Sequence, residues 1–337
     1  VIRETAGVID AMDELSQWQL RYLSAFAPET PIPDEVAFTG GDSPDVRQTL
    51  LERKLIHESE MSGHVQLDAH VALLAQRQLS PDQQETLRVQ AQRRYIEQGS
   101  APANTPEGWG FYTTAGHHAR HLNIVESSDP KARQFWDKIT LANGASGNFN
   151  ACAELAEMAY AAWEPGPDRA GMAWRRAINS NYMGKHKEAS IWAQDALSEH
   201  QQYEGDEELS LGYRLGLGRS LYFLDETPRA QDIFEELARE TQATTGQTSM
   251  PSLLLNLAQI KFDAGDFYSA YEDNREARMI RESTFGAAHR FGLMDRAREG
   301  RALAYAGEAK AALELLYPAY EALSDSVGPV HHDTIYT

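Results

Sequence analysis

Three histidines within five residues, His117, His118 and His121, form a tight group of potential metal ligands in the sequence. His117 and His121 lie four residues apart, so a helix would place both imidazoles on one face, where they could bind zinc. A catalytic zinc site would also need a third ligand and a nearby glutamate, and the His-Glu-x-x-His pattern is absent. We therefore predict exposed histidines or histidines that pack in a helix, with zinc binding as the alternative.

A phosphate-binding loop is the second chemistry that the sequence could support. The Walker A pattern, Gly-x-x-x-x-Gly-Lys-Ser/Thr, cradles phosphates with backbone N–H groups. The nearest fragment, YMGKHKEA (182–189), lacks the first glycine and the hydroxyl residue. No arrangement of Ser, His and Asp or of Cys and His stands out either. The sequence therefore predicts no catalysis and no bound cofactor in this chain.

The overall charge and the cysteine content exclude several classes of partner. With 337 residues and a net charge of −19, the chain is poorly suited to non-specific nucleic-acid binding or to anionic membranes. No apolar run approaches the ~20 residues of a membrane span. The single cysteine, Cys152, is expected to be a small buried hydrophobe, and the absence of a disulfide indicates a reducing cytoplasm.

The pattern Gly-x-x-His occurs twice, in TFGAAHRFGL and in SVGPVHHDTI. The first copy contains Gly286 and His289, and the second contains Gly328 and His331, 42 residues further on. A fixed spacing of this size is typical of stacked helical units. We therefore interpret both copies as loops between repeats, and the histidines as residues that pack those loops.

Four segments repeat a pattern that predicts pairs of antiparallel helices, and they span 177–197, 218–238, 258–278 and 300–320. Each opens with alanine or glycine, and a second small residue follows twelve positions later, where two helix backbones can approach closely. These second positions are Ala189, Ala230, Ala270 and Ala312. A turn is predicted between the two small residues, since glycine permits the positive φ with which many helices end. The turn residues are Gly184, Asp225, Gly265 and Gly307.

This pattern resembles the tetratricopeptide repeat (TPR), and its period resembles the longer, kinesin-light-chain-like variety. The resemblance implies an α-α superhelix with glycine-marked loops between repeats, at Gly205, Gly246, Gly286 and Gly328. A degenerate fifth unit is expected over 136–163, which gives about five repeats. The final HHDTIYT is expected to open another repeat that continues past Thr337, as in a piece of a longer protein.

The first helix of each TPR pair lines the concave face of the array, so the resemblance places a binding groove there. An arginine–aromatic mixture at those positions suits a peptide, because arginine binds carboxylates and aromatic rings hold apolar groups. The alternative is that about half of the residues pack between repeats. By repeat position the groove residues are Trp174, Asn181, Arg219, Tyr222, Gln259, Phe262, Arg301 and Tyr305.

Residues 1–100 lack this period and are predicted to form helices around one hairpin. Helices are expected over 8–26, as a short helix within APETPIPDEVAFTG, from Ser43 and from Ser80. The two serines each precede a proline, as an N-cap should. Residues 55–68, LIHESEMSGHVQLD, predict a β-hairpin because polar and apolar residues alternate around Ser-Gly. Three helices followed by a hairpin form a winged-helix arrangement.

Winged-helix domains often bind DNA, but the charge of this segment opposes it. Residues 1–100 contain 9 Lys and Arg against 16 Asp and Glu, a net charge of −7. The presumed recognition helix, VRQTLLERKLI, has only three basic residues beside one acid. Phosphate contacts need clustered positive charge, so we predict no direct DNA binding.

The fragments LSAFAPETPIP, LLERKLI and LLAQRQL resemble the winged-helix domain that follows the ATPase core of bacterial STAND regulators with NB-ARC modules. The next stretch, APANTPEGWGFYTTAGHHARHL, resembles the linker helix that joins this domain to a TPR array. The resemblance implies a winged-helix domain over 1–100, a linker helix over 101–128 and a TPR array over 129–337. The resemblance thus covers nearly the whole chain, with the domains in the same order as in those STAND regulators.

In STAND regulators, a histidine at the start of the helix after the hairpin contacts the β-phosphate of bound ADP. His70 occupies the matching position, although Ala69 and Val71 replace the Met and Asp of the family's Met-His-Asp motif. The resemblance thus implies that His70 contacts nucleotide in a parent protein with an upstream NTPase core, ADP or ATP, and Mg²⁺. The alternative is a histidine of no special role.

Together these observations predict a mainly α-helical protein, with a small winged-helix domain and a TPR-like α-α superhelix. The resemblance implies a sensing module of a STAND NTPase that acts in signalling or transcriptional regulation, with a peptide or protein partner in the TPR groove. The alternative is a TPR scaffold or adaptor without a nucleotide switch, and an enzyme is the least favoured class.

Overall fold

The computed structural model describes residues 2–38, 43–99, 101–127, 129–203, 207–245, 250–331 and 334. The described chain is mainly α-helical, as the sequence predicts. Its internal contacts divide it into two compact units, Val1–Ala145 with Ala161–Trp163, and Ser146–Tyr160 with Glu164–Thr337. Within the described part, none of the helices combines the length and the apolar character that a bilayer crossing demands.

The first unit consists of short helices around a small sheet. Its first four helices are α1 (Ile2–Asp10), α2 (Glu14–Leu23), α3 (Asp34–Ala37) and α4 (Ser43–Glu52). Its strands are β1 (Ile32–Pro33), β2 (His57–Glu58) and β3 (His64–Gln66). Its remaining helices are α5 (Ala69–Gln76), α6 (Pro81–Gln98), α7 (Pro106–His121), a 3₁₀ turn (Ile124–Glu126) and α8 (Pro130–Ala145).

The three strands form an antiparallel sheet in the order β1-β3-β2. His57 of β2 pairs with Gln66 of β3, which confirms the predicted hairpin, and Gly63 in its turn has a φ of +70°. The strand β1 adds to the other edge of β3, where Ile32 pairs with Val65. The chain therefore runs two helices, strand, two helices and hairpin before α5 begins.

Aromatic side chains form the core of the first unit. Phe26, Tyr95 and Phe135 are each 1–2% exposed, and the Tyr95 ring lies 5.8 Å from that of Phe26 and 6.2 Å from that of Phe135. His118 of α7 lies in the same cluster, 5.2 Å from Tyr95. This core fixes α6, α7 and α8 against the loop that follows α2.

The second unit is a series of antiparallel helices, in which each helix after the first packs against the next in the sequence. Most of α9 (Phe149–Ala162) belongs to it. The further helices are α10 (Pro167–Tyr182), α11 (His186–Gln202), α12 (Glu207–Phe223), α13 (Thr227–Thr245), α14 (Pro251–Asp263), α15 (Phe267–Phe285), α16 (Arg290–Tyr305) and α17 (Ala309–Val327). We call α10, α12, α14 and α16 the first helices, because each opens one predicted repeat.

The predicted small residues lie where these helices meet. The second alanine of every regular repeat is at most 2% exposed, which fits a close approach of two backbones. The predicted turns are also confirmed: Gly184, Gly265 and Gly307 have φ of +73°, +83° and +90°, and Asp225 has +61°. Gly286 and Gly328, in the two Gly-x-x-His loops, have φ of +90° and +97°. Gly205 and Gly246 lie outside the described residues.

Two glycines of α12 offer a direct test of this close packing. A Cβ on Gly218 would lie 2.5 Å from Cε1 of Phe234, which is 1% exposed, so Gly218→Ala must displace a core ring. We expect it to lower the free energy of unfolding by about 1–3 kcal/mol. A Cβ on Gly212 meets nothing within 4 Å, so Gly212→Ala should stabilise the helix by up to about 1 kcal/mol. Urea unfolding of both variants checks this, and equal effects would contradict it.

Candidate functional site

The first helices surround a cavity of about 400 Å³, within the range of ligand pockets. We call it the central cavity. Five of the eight predicted groove residues line it: Trp174, Asn181, Arg219, Tyr222 and Gln259. The other three, Phe262, Arg301 and Tyr305, do not line it and instead form a separate aromatic cluster.

Trp174 of α10 forms one wall of the central cavity because a glycine lies beside it. A Cβ on Gly216 of α12 would come within 1.9 Å of the Trp174 ring, so only glycine leaves room for the indole in this position. Trp174 also contacts Tyr213 of the same helix, α12, with ring centroids 5.5 Å apart. The indole is thus held by packing between two first helices and is only partly exposed.

Polar bonds between successive first helices occupy several of the predicted groove residues. Asn181 donates from Nδ2 to Ser220 Oγ at 2.9 Å, and its Oδ1 lies 3.0 Å from Nδ1 of His186. Gln259 accepts a hydrogen bond from Arg301 at 2.8 Å and donates one to Asp263 at 2.9 Å. These amides are therefore satisfied within the array, where they join one repeat to the next.

Tyr222 and the separate aromatic cluster join repeats in the same way. The Tyr222 hydroxyl donates to Asp263 on α14. In the cluster, the Phe262 ring lies 4.9 Å from Tyr305, which is 64% exposed, and the Arg301 guanidinium lies 4.7 Å above Phe262. Part of the predicted groove set thus packs between repeats, which was the stated alternative.

Arginine is the dominant charged residue of the central cavity. Besides Arg219, three arginines outside the predicted groove set line the central cavity, Arg281, Arg290 and Arg298. No aspartate or glutamate is among the described residues that line the cavity. Arg281 belongs to α15, a second helix, so a rule based on first helices could not include it. Arg290 and Arg298 lie on α16, at repeat positions outside the selected set.

A single buried carboxylate holds two of these arginines. Asp295, 0% exposed, accepts two hydrogen bonds from Arg281 Nη1, at 3.0 and 2.9 Å, and one from Arg298 Nη1 at 2.6 Å. Burial raises the pKa of Asp295 even though both guanidiniums lower it, and burial also lowers the pKa of Arg281. Two guanidiniums against one carboxylate leave this side of the cavity with excess positive charge.

Arg219 is held by aromatic rings. Its guanidinium lies 5.4 Å from the Tyr182 ring and 5.7 Å from the Phe223 ring, and no carboxylate contacts it among the described residues. His186 stacks on Phe223 at 4.4 Å, and its pKa is lowered by burial and by the charge of Arg219. The cation–π contacts with Tyr182 and Phe223 orient the Arg219 guanidinium, while its N–H groups keep their capacity to donate.

The histidines of the sequence analysis have separate environments. His118 is fully buried: its Nδ1 accepts from the Ala27 N–H at 3.1 Å, and its Nε2 donates to the Pro31 carbonyl at 2.9 Å. Both ring nitrogens are therefore used by backbone groups. His117 and His121 are exposed, and the described ranges contain no group of three potential ligands suited to a metal ion.

His70 and His289 each have local surroundings. His70 is exposed as the second residue of α5, in the helix after the hairpin, where nothing in the described structure tests a nucleotide contact. His289 caps α16 by accepting from the Phe291 N–H at 3.4 Å and stacks on Phe285 at 4.9 Å. His289 thus packs its loop, as predicted for the Gly-x-x-His pattern.

Comparisons with known proteins give similarity in fold. No protein-family model matches the sequence, and a search of curated proteins finds no match either. Among solved structures, a Rap protein complexed with Competence and Sporulation Factor is 12% identical, with a TM-score of 0.50, over 96% of this chain and 78% of that chain. At this identity the likeness concerns the fold, and the chain shares a mainly α-helical, repeat-like architecture with it.

Two further solved structures are similar to this chain. One is a STAND protein with a TPR sensor from Pyrococcus horikoshii, 12% identical, with a TM-score of 0.46, over 94% of this chain and 51% of that chain. The chain thus spans about half the length of that STAND protein. The other contains nearly identical TPR-like repeats of a kinesin light chain from Podosopora anserina. It is 17% identical, with a TM-score of 0.39, over 59% of this chain and 98% of that chain.

Proposed function

We propose that this chain is an interaction module whose central cavity binds a peptide or a segment of a partner protein. The observation that carries the proposal is the cavity itself, where aromatic walls on the first helices meet four arginines, three on first helices and one, Arg281, on α15. Aromatic residues and arginine supply much of the binding energy at protein interfaces. Because Trp174 is held against Gly216, the binding surface is preformed and little side-chain entropy is lost on binding.

We further propose that the module is the sensor of a cytoplasmic STAND NTPase. The support is the order of the predicted domains, a winged-helix domain over 1–100, a linker helix over 101–128 and a TPR array over 129–337. The order of two helices, strand, two helices and hairpin in the first unit is further support for a winged helix. Binding of the ligand would shift the parent between two states only through different affinities for them.

In this proposal, nucleotide acts outside the cavity. An upstream NTPase core would bind ADP or ATP with Mg²⁺, and exposed His70 would contact the nucleotide. The winged helix would act as a lever, without direct DNA binding, since Arg47 on its presumed recognition helix already pairs with Asp34 at 3.4 Å and Glu58 at 3.2 Å. The chain itself would have no catalytic activity.

Selection of displayed random dodecapeptides on the purified chain tests the binding function. We expect enriched peptides that bind saturably, with dissociation constants below about 100 µM. Trp174→Ala, which removes an aromatic wall, should weaken them at least about tenfold. If no peptide binds in this way, the proposed function is contradicted.

The coding sequence around this chain tests the regulatory role. We expect an upstream Walker A pattern, which would supply the nucleotide switch. If no such pattern is present, the NTPase role is wrong, and the scaffold alternative takes its place. That alternative also predicts partners that are captured equally in the presence of ADP and ATP.

A further inference from the structure

We propose that the central cavity selects acidic peptide segments, in which an aspartate, a glutamate or a terminal carboxylate lies beside an aromatic or aliphatic side chain. This inference rests on the proposed function, because it names the chemistry of the ligand for the same cavity. It goes further because it assigns a negative charge to the ligand and names Arg219 as the residue that distinguishes acidic from neutral peptides.

The charge of the cavity carries the inference. The chain has a net charge of −19, with 50 acidic residues against 31 basic ones, so an unbiased surface patch would be acidic. The described lining of the cavity has four arginines and no acid. Arg281 and Arg298 share one carboxylate, that of Asp295, so this pair keeps a net positive charge. A negative ligand group would complement this charge.

The geometry of Arg219 favours a carboxylate as that group. Its guanidinium lies over the rings of Tyr182 and Phe223, 5.4 and 5.7 Å from their centroids, without a carboxylate partner among the described residues. A planar guanidinium donates two parallel hydrogen bonds to a carboxylate, and prior stacking reduces the entropy lost on binding. The ligand would supply the carboxylate that the protein leaves out.

The aromatic walls and the acidic surroundings favour a peptide over a polyanion. Trp174, Tyr222 and Phe291 line the same cavity and can take an apolar side chain next to the carboxylate. The whole chain has a net charge of −19, so the row of phosphates in a nucleic acid would meet an acidic surface outside the cavity. A short acidic peptide places its charge at the arginines alone.

The test starts from the peptides selected on the purified chain. Each is resynthesised with an amidated C-terminus, and then with Glu replaced by Gln and Asp by Asn, and binding is measured by calorimetry. We expect the neutralised peptides to bind about tenfold or more weakly, as for loss of a charge-assisted hydrogen bond. Raising NaCl from about 50 mM to about 500 mM should weaken only the acidic forms.

A protein variant then locates the effect. Arg219→Gln should weaken the acidic peptide about tenfold and leave the neutralised peptide nearly unchanged, which is a coupling that general destabilisation would not produce. Arg229→Gln is the matched control, since Arg229 lies exposed on α13 beside Glu226 and outside the cavity. The peptide substitutions remain informative even if the Arg219 variant folds poorly.

The outcomes separate the two proposals. Neutral or basic peptides that bind the cavity with no loss in Arg219→Gln would overturn the acidic selectivity and leave the binding function intact. A preference for phosphoserine over glutamate at the same position would overturn the choice of carboxylate. No selected peptide at all would contradict the binding function itself.

Discussion

Asp295→Ala is expected to lower the free energy of unfolding by about 3–5 kcal/mol. Asp295 is 0% exposed and is the carboxylate that Arg281 and Arg298 share, at distances of 2.6–3.0 Å. Alanine leaves two guanidiniums close together without a counter-charge, and Arg281 also lies in a largely buried position. Loss of one partner from a buried ion pair is costly because the remaining charge stays desolvated.

Urea unfolding at neutral pH measures this loss. Asp232→Ala on α13 is the control, because Asp232 is exposed, and its loss should change the free energy of unfolding by no more than about 0.5 kcal/mol. If Asp295→Ala costs less than about 1 kcal/mol, Asp295 does not hold the arginines of the central cavity.

His118 should make the stability of the protein depend on pH. Burial is the main reason why its pKa is lowered from 6.5 to about 4, and its Nδ1 already accepts the Ala27 N–H. The folded state therefore favours the neutral ring, and the stabilisation is fully present above pH 6.5 and is lost as the pH falls towards 4. Between pH 7 and pH 5, His118 should contribute a loss of about 2 kcal/mol.

The contribution of His118 appears as a difference between variants. His118→Gln cannot titrate, so its free energy of unfolding should fall by about 2 kcal/mol less than that of the natural chain between pH 7 and 5. At pH 7 it should already be destabilised, because the Ala27 N–H and the Pro31 carbonyl lose well-placed partners. The exposed His117→Ala should keep the natural pH dependence. Parallel pH profiles for His118→Gln and the natural chain would contradict a buried neutral histidine.

The repeat architecture could be predicted from the sequence because its signals are local. Alanine at a fixed spacing marks a close approach of helices, and a glycine with positive φ marks a turn, so Ala189 and Gly184 could be interpreted without a structure. The hairpin over 55–68 followed from alternation around Ser-Gly. Each of these features depends on residues that are near in sequence.

The chemistry of the central cavity could not be predicted in the same way. Arg281 lies on a second helix, and it reaches the cavity because its guanidinium pairs with buried Asp295 of the next helix. Gln259 and Asn181 had suitable positions, but hydrogen bonds to Arg301 and Ser220 occupy them. Repeat position predicts which helix faces the groove, whereas the pairing of long side chains between helices decides which groups remain available.

Hydrogen–deuterium exchange of the chain, with and without a saturating selected peptide, tests the central claim that the first helices form the binding surface. We expect slower exchange in α10, α12 and the first turns of α16, which carry Trp174, Arg219 and Phe291, and little change in α13 and in residues 2–38. Protection confined to α11, α13 or the first compact unit would place the ligand elsewhere and contradict the central cavity as the binding site.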